Sequence, residues 1–297
     1  MKTNNLIVFA AATLLTACGQ NDTEYDATGT FETTEITVSA EQNGRLLALD
    51  ITEGTKIKKD SRVGLIDTVQ LHLKAMALGA TKDIYAYQRP DISKQIAATR
   101  SQLAKAERER ARFEALVSKG AANSKALDDA MSTERELRDR LQAQISSLDN
   151  NTRSLNSQMS AADIQRLEVL DMLNKCHIKA PIDGTVLEKY AEAGEYAVTG
   201  KPLFKIADME NMFIRAYVTT AQLEKIKLGQ RVKVMSDYGN GNRKTYEGIV
   251  AWISESAEFT PKTILTDDER ADIVYAVKVA VKSDGMLKIG MYGEVKF

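Results

Sequence analysis

The sequence GRLLALDITEG at residues 44–54 returns as GTVLEKYAEAG at residues 184–194, and this repeat decides the fold. Each copy begins and ends with glycine, and the two copies are offset by 140 residues. The same offset pairs apolar residues with apolar residues further along the chain: Leu46 with Val186, Val63 with Leu203, and Ile66 with Ile206. Short alternating apolar runs between turn residues are typical of β-strands. The repeat therefore predicts two halves of one small β-sandwich.

Glycines mark the predicted turns of this sandwich, because a tight turn often needs a residue with positive φ. In the first half, Asp60 stands where the second half has Gly200. Aspartate is one of the few other residues that tolerate the left-handed region, so we expect the turn to be kept. The predicted turn glycines are Gly44, Gly54, Gly184, Gly194 and Gly200.

The long segment between the two halves has the apolar spacing of a coiled coil. Steps of three and four residues give an average period of 3.5, which is typical of a heptad seam. The seam of the first arm runs through Ile92, Ile96, Thr99, Leu103, Ala106, Phe113 and Val117. The charged Arg110 lies between Ala106 and Phe113 in this seam. The seam of the second arm runs through Leu137, Leu141, Ile145, Leu148, Thr152, Leu155, Met159 and Ala162. Two such arms predict an antiparallel α-hairpin.

The hairpin is predicted to turn at residues 119–124. Gly120 suits the position just after the first helix, and Asn123 or Ser124 suits the N-cap of the second. The second helix is expected to run from Ser124 to Lys175, which is about 78 Å at about 1.5 Å per residue. Pro90 predicts a kink or a joint in the first arm, roughly opposite residues 150–151.

The residues around the turns of the sandwich resemble a known family. EGTKIKKD at 53–60, LID at 65–67 and APIDGTV at 180–186 are similar to the split biotinyl-lipoyl domain of HlyD-type membrane fusion proteins. The resemblance implies an α+β multidomain fold: a split biotinyl-lipoyl β-sandwich with an inserted long antiparallel α-helical hairpin, plus a β-barrel. The hairpin that presents the modified lysine in carrier domains is replaced here by the helical insert, so no cofactor is expected.

The resemblance also divides the chain into predicted segments. The short strands expected after residue 208 form the barrel, together with an N-terminal strand and a short helix at 221–227. The segments are a lipoprotein signal peptide at 1–17, a tether at 18–27, an N-terminal strand joining barrel and sandwich at 28–43, lipoyl half 1 at 44–67, the hairpin at 68–176, lipoyl half 2 at 177–207 and the barrel at 208–297.

The N-terminus has the pattern of a lipoprotein signal. Lys2 precedes a short apolar stretch that ends in Leu-Thr-Ala-Cys at 15–18, which resembles a lipobox. The sequence predicts a periplasmic protein anchored to a membrane through an acylated Cys18, with an ordinary secretory signal as the alternative. The inner membrane is favoured, although Gly19 matches the outer-membrane sorting rule of enterobacteria. The other cysteine, Cys176, has no motif partner and is expected to be a small buried hydrophobe.

The resemblance implies that the chain is a periplasmic adaptor, hexameric in the family's manner, between an inner-membrane exporter, of the ABC type, and a TolC-like outer-membrane channel. Residues 258–270 and 274–277 resemble adaptors of ABC-type exporters. In the family, the hairpin tip carries an arginine, a leucine and a serine. Arg112 and Leu116 match the first two, whereas Asn123 takes the third position and Ser124 follows one residue late.

Other classes of function find little support in the sequence. His72 and His177 are isolated, no His/Cys cluster has metal-ligand spacing, and no Walker-type loop is present. We therefore predict no enzymatic activity. With 40 basic and 41 acidic residues, no strong positive charge predicts a nucleic-acid partner. The alternatives that stay open are a structural envelope lipoprotein with a coiled-coil spacer and the adaptor of a proton-driven pump.

Overall fold

The computed structural model describes residues 25–239, 242–259 and 273–297. The predicted lipidation site Cys18 and most of the motif at 258–270 lie outside these residues. Within them the helices are α1 (Val69–Tyr87), α2 (Ile92–Ser118), α3 (Ser124–Lys175) and α4 (Thr220–Leu223). The strands are β1 (Ala27–Glu32), β2 (Glu35–Ser39), β3 (Gly44–Leu49), β4 (Lys56–Ile57), β5 (Arg62–Ile66), β6 (His177–Lys179), β7 (Gly184–Lys189), β8 (Tyr196–Ala197), β9 (Pro202–Ala207), β10 (Asn211–Thr219), β11 (Arg231–Asp237), β12 (Arg243–Phe259), β13 (Ile273–Lys282) and β14 (Tyr292–Lys296).

The predicted split sandwich is confirmed. It consists of two four-stranded sheets with the orders β2-β9-β7-β4 and β6-β5-β3-β8. The repeat relates β3 to β7, β4 to β8 and β5 to β9, so each half contributes strands to both sheets. Hydrogen bonds follow the same symmetry: the Gly54 amide donates to the Val186 carbonyl at 2.8 Å, and the Gly194 amide donates to the Leu46 carbonyl at 2.7 Å. The halves are therefore interleaved parts of a single core.

Only some of the predicted turn glycines lie in turns. Gly54, Gly194 and Gly200 have positive φ, at 83°, 100° and 89°, and Asp60, the counterpart of Gly200, has φ 62° as expected. The turn prediction is wrong for the two remaining glycines, Gly44 and Gly184, which begin strands β3 and β7. Glycine suits these positions because other atoms approach the backbone closely: an added Cβ would lie 2.7 Å from Ile66 Cγ2 at Gly44 and 2.5 Å from the Ala207 carbonyl oxygen at Gly184.

The helical insert consists of three helices rather than two. The second arm is the single 52-residue helix α3, as predicted. The first arm is broken into α1 and α2 at residues 88–91, where Pro90 lies. Asp91 caps α2, and its carboxylate accepts the Ser93 hydroxyl at 2.6 Å and the Lys94 amide at 3.2 Å. These two hydrogen bonds hold the pKa of Asp91 below its ordinary value.

Ion pairs on both sides of this break fix the register of the arms. Lys82 of α1 lies 2.9 Å from Asp163, and further out Arg138 of α3 lies 3.5 Å from Glu107 of α2. Both ion pairs give the same register between the first arm and α3. In this register Pro90 lies level with residue 155 of α3. The expected position opposite residues 150–151 is therefore wrong, and those residues lie inside continuous helix. The first arm is jointed, but its register with α3 is not shifted.

Heptad positions form the buried side of the hairpin, as predicted. On α2 the buried seam residues are Ile96, Thr99, Leu103 and Ala106. On α3 they are Glu134, Leu155, Ala162 and Val169. Glu134 is the one charged residue among these eight.

The C-terminal module is a closed barrel with the strand order β1-β10-β13-β12-β11-β14. Phe31, Ile214, Val234, Val279 and Val295 are fully buried in its core. The segment at 28–43, predicted to be one joining strand, forms two: β1 belongs to the barrel and β2 to the sandwich. The predicted helix at 221–227 is shorter, and it is the single turn α4 with Thr219 as its N-cap.

Excision of the hairpin should leave a folded sandwich. The Ile66 amide donates to the Cys176 carbonyl at 2.9 Å, and Leu65 pairs with His177, so the two ends of the insert are neighbours. We expect that replacing residues 68–175 with the two-residue turn Asn-Gly gives a soluble protein that melts cooperatively in circular dichroism. A broad, non-cooperative melt would mean that the sandwich depends on the hairpin.

Candidate functional site at the hairpin tip

The end of α2 is closed by main-chain hydrogen bonds. The Gly120 amide donates to the Val117 carbonyl at 3.0 Å, and the Ala121 amide donates to the Leu116 carbonyl at 2.8 Å. Gly120 has φ 67°, as predicted for the residue after the helix. This pair of bonds is the Schellman motif, which satisfies carbonyl groups that a helix end leaves free. The backbone of the tip is therefore held without help from a partner.

The start of α3 is capped by Asn123. Its side-chain oxygen accepts the Lys125 amide at 3.0 Å, so Asn123, not Ser124, is the N-cap. The Ser124 hydroxyl lies 3.5 Å from the same Asn123 oxygen and is exposed. Asparagine at the third position of the family's tip pattern thus performs a capping role, and the serine hydroxyl faces solvent next to it.

Arg112 and Leu116 lie one turn apart on the same side of α2, where residues four apart are neighbours. The Arg112 side chain is 62% exposed, pairs with Glu109 at 3.2 Å and lies over the Phe113 ring at 5.2 Å. An exposed ion pair contributes on the order of 0–1 kcal/mol, so it can be exchanged for other acceptors at low cost. Leu116 is half-buried, and its carbonyl belongs to the turn. The arrangement offers a guanidinium beside an apolar side chain.

A charged layer lies just below the tip, and the sequence analysis did not find it. Arg110 Nε lies 2.7 Å from Glu134 Oε2, and Arg138 also pairs with Glu134. The Glu134 side chain is only 7% exposed, whereas that of Arg110 is 35% exposed. The heptad spacing could have indicated this pair, since Arg110 lies four residues after the seam residue Ala106 and Glu134 lies three residues before the seam residue Leu137. Both charges occupy seam positions and face each other.

A shallow groove of roughly 580 Å³ runs between α2 and α3 on one side of this region. Its floor consists of small and apolar residues, and its rim carries charges. The lining residues include Ala106, Phe113, Ala126, Ala130 and Leu137, with Lys105, Glu109 and Asp129 at the edges. The small residues Ala126 and Ala130 leave the groove open between the two helices.

A second polar cluster lies on the barrel and has a structural explanation. The hydroxyls of Tyr238 and Tyr246 are 2.8 Å apart, and Asp284 accepts Tyr246 and Lys244. The Lys244 ammonium is the main cause that lowers the pKa of Asp284 to about 2. Burial is the main cause that raises the pKa of Tyr246, and its hydrogen bond with Tyr238 is the next cause. These bonds tie the β11–β12 turn to the loop before β14.

Neither a metal-binding cluster nor a membrane-spanning helix is found in residues 25–239, 242–259 and 273–297. These ranges contain no group of three or more His, Cys, Asp or Glu side chains placed to hold a metal ion. None of their helices is long and apolar enough to cross a membrane.

The split sandwich, its hairpin and the closed barrel define the architecture of a membrane fusion protein. The chain belongs to this family: the family described as "RND MFP, barrel-sandwich hybrid domain" matches residues 34–209. Its members are non-enzymatic adaptors that are periplasmic and membrane-associated.

Individual relatives agree with this assignment. The "UPF0194 membrane protein in asrC 5'region" of Acidithiobacillus ferridurans is 27% identical over 89% of this chain and 83% of its own length. The crystal structure of MacA from Actinobacillus actinomycetemcomitans is 21% identical, with TM-score 0.55 over 91% of this chain and 76% of that one. The membrane fusion protein Spr0693 from Streptococcus pneumoniae R6 is 15% identical, with TM-score 0.52 over 91% and 97%. The two structures show the same fold.

Proposed function

We propose that this chain links an inner-membrane exporter of the ABC type to a TolC-like outer-membrane channel. The observation that carries the proposal is the closed and exposed tip at the end of a 52-residue helix. Such a helix is about 78 Å long, which is far more than a small sandwich needs for its core. An arm of this length, which presents the exposed Arg112 near its end, is suited to reach a partner on the far side of the periplasm.

The class of exporter is the part of this proposal that most needs a direct test. The residues at 274–277 resemble adaptors of ABC exporters. The matching family, in contrast, is described by the term RND, which denotes a class of proton-driven exporters. We expect that the tagged full chain, purified from cross-linked cells, brings down an ABC permease and its ATPase. Recovery of a proton-driven exporter would change the class of partner. Recovery of neither exporter nor channel would favour a structural envelope lipoprotein.

The N-terminal signal gives a prediction about the anchor. We expect the mature protein to begin at Cys18 and to carry acyl chains, because Leu-Thr-Ala-Cys precedes the polar tether. Two or more acyl chains hold a protein firmly in a membrane. Intact-mass analysis of the membrane-extracted protein should show the loss of residues 1–17 and added lipid mass. A Cys18→Ala variant should be released by washing, and an unlipidated mature form of the parent chain would contradict the prediction.

We further propose that the chain self-associates head to tail, as a hexamer in keeping with the family. The two ends of the sandwich that the repeat relates differ in chemistry. The turn that includes β4 carries three exposed lysines, Lys56, Lys58 and Lys59. The related turn at β8 instead exposes Tyr196 and Val198, beside Glu195. β4 and β8 are edge strands of the two sheets, and two unlike surfaces on one module suit heterologous contacts, which close into a ring when the rotation allows it.

A further inference from the structure

The outer part of the hairpin has little apolar core. Residues 107–137, here called the outer hairpin, comprise the end of α2, the turn and the start of α3. In these residues, all of which the structure describes, Glu134 is the only buried side chain. The large apolar side chains near the seam are only half-buried: Phe113, Leu116, Val117, Leu127 and Leu137. The groove of roughly 580 Å³ also opens between the two helices here. A packed apolar core therefore does not hold the outer arms together.

The charged layer of Arg110, Glu134 and Arg138 links the two arms instead. Arg110 of α2 lies with Nε 2.7 Å from Glu134 Oε2 of α3, and Arg138 of α3 lies 3.5 Å from Glu107 of α2. Both oxygens of the buried carboxylate are engaged, because Oε1 accepts a hydrogen bond from Arg138. Arg110 also pairs with Glu114 of its own helix at 3.0 Å. Glu134 is thus the centre of a network that crosses the hairpin twice.

The charged layer also sets the direction in which the tip arginine points. The inner half of α2 is fixed by its buried seam, which ends at Ala106. At the tip, the hydrogen bonds of Gly120 close the turn without joining the arms below it. Arg112 follows Arg110 by two residues, which is about 200° around a helix of about 3.6 residues per turn. Because Arg110 is held at the seam, Arg112 points away from α3.

We propose that Glu134 is a positioning residue, which holds the two outer arms together and keeps Arg112 directed outward. The inference rests on the proposed function, in which the tip reaches a channel, and it adds that a buried carboxylate below the tip controls this contact without touching the partner. A buried ion pair adds little net stability, because desolvation of the charges offsets their attraction. Loss of one partner is nevertheless costly, since the other charge is left buried and unpaired.

This asymmetry gives a test with two opposite variants. In Glu134→Gln, the amides of the outer hairpin should exchange hydrogen at least about tenfold faster in the full chain, because two arginines lose their common carboxylate. In the double variant Arg110→Leu and Glu134→Leu, apolar side chains replace the pair, so slow exchange should return. Glu136→Gln is the matched control, since it makes the same change at an exposed position of α3. Parent-like exchange in Glu134→Gln would overturn the proposal.

Capture of the outer-membrane channel by a photoreactive residue at the exposed Ala115 measures how well the tip is presented. Glu134→Gln should lower the yield at least about tenfold, and the double leucine variant should restore it. A double variant with slow exchange but no capture would place the charges in the contact itself and overturn the positioning role. Equal capture by the parent chain and Glu134→Gln would also overturn this role alone. No capture by the parent chain would overturn the proposed bridge and this inference together.

Discussion

Export is expected to fall at least about tenfold in an Arg112→Asp variant whose melting temperature equals that of the parent chain. Arg112 is exposed and contributes only a surface ion pair and a ring contact, so its loss costs the fold little. At a channel mouth the guanidinium offers five donors to carbonyl groups, and aspartate offers none while it reverses the charge. The measurement is export of the pump's substrate, paired with circular dichroism melting of the purified variant.

A matched control separates a local contact from a general effect of charge. Arg100 is exposed on the same helix, and Arg100→Asp makes the same change of charge about 18 Å from Arg112. That variant should export normally. Leu116→Ser should lose export as well, with only a small loss of stability, since Leu116 is half-buried. Normal export in both tip variants would contradict the proposed contact, and a large loss of melting temperature in Leu116→Ser would assign this residue to closure of the hairpin.

Among the glycines of the sandwich, Gly184→Ala is expected to have the largest effect on stability. A Cβ atom at this position would lie 2.5 Å from the Ala207 carbonyl oxygen and 2.9 Å from Ile206 Cγ1. The carbonyl belongs to the backbone of the neighbouring strand β9, so it cannot move away without disturbing the pairing of β7 with β9. Overpacking of this kind costs roughly 3 kcal/mol. We therefore expect the sandwich to open far more often in the variant.

The repeat supplies the control for this prediction. At the related Gly44, an added Cβ would lie 2.7 Å from a side-chain methyl of Ile66, and the nearest backbone atom is 3.7 Å away. Ile66 is fully buried as well, but a side chain adjusts more readily than the backbone of a paired strand, so Gly44→Ala should cost less, about 1 kcal/mol. Hydrogen exchange of the sandwich amides measures both effects within one module. Equal losses for the two variants would contradict the reasoning from backbone contact.

The repeat and the heptads made most of the fold predictable. Both are periodic patterns of apolar residues, and burial enforces such patterns along a whole element. Other features lay beyond this signal. The glycines at 44 and 184 looked like turn residues because glycine serves both positive φ and close approach, and the sequence does not distinguish the two uses. The division of the segment 28–43 between two modules was not predictable, because alternation predicts strands but not the sheet that each strand joins.

At the site, the sequence predicted the tip but not the layer beneath it. The capping residues around Gly120 and Asn123 were recognisable because helix ends have strong local preferences. Arg110 was recognisable only as a charge within the apolar seam, and Glu134 was not singled out, because apolar spacing does not predict ion pairs. Their pairing depends on the register of two arms, and only the three-dimensional structure gives that register.

Site-specific photo-cross-linking in living cells tests the proposed bridge most directly. A photoreactive residue at the exposed Ala115 reports on the hairpin tip, and one at Leu228, which is 67% exposed, reports on the barrel. We expect the probe at Ala115 to capture an outer-membrane channel and the probe at Leu228 to capture an inner-membrane exporter. Capture of the exporter from Ala115, or of nothing but further copies of this chain from both positions, would contradict the account.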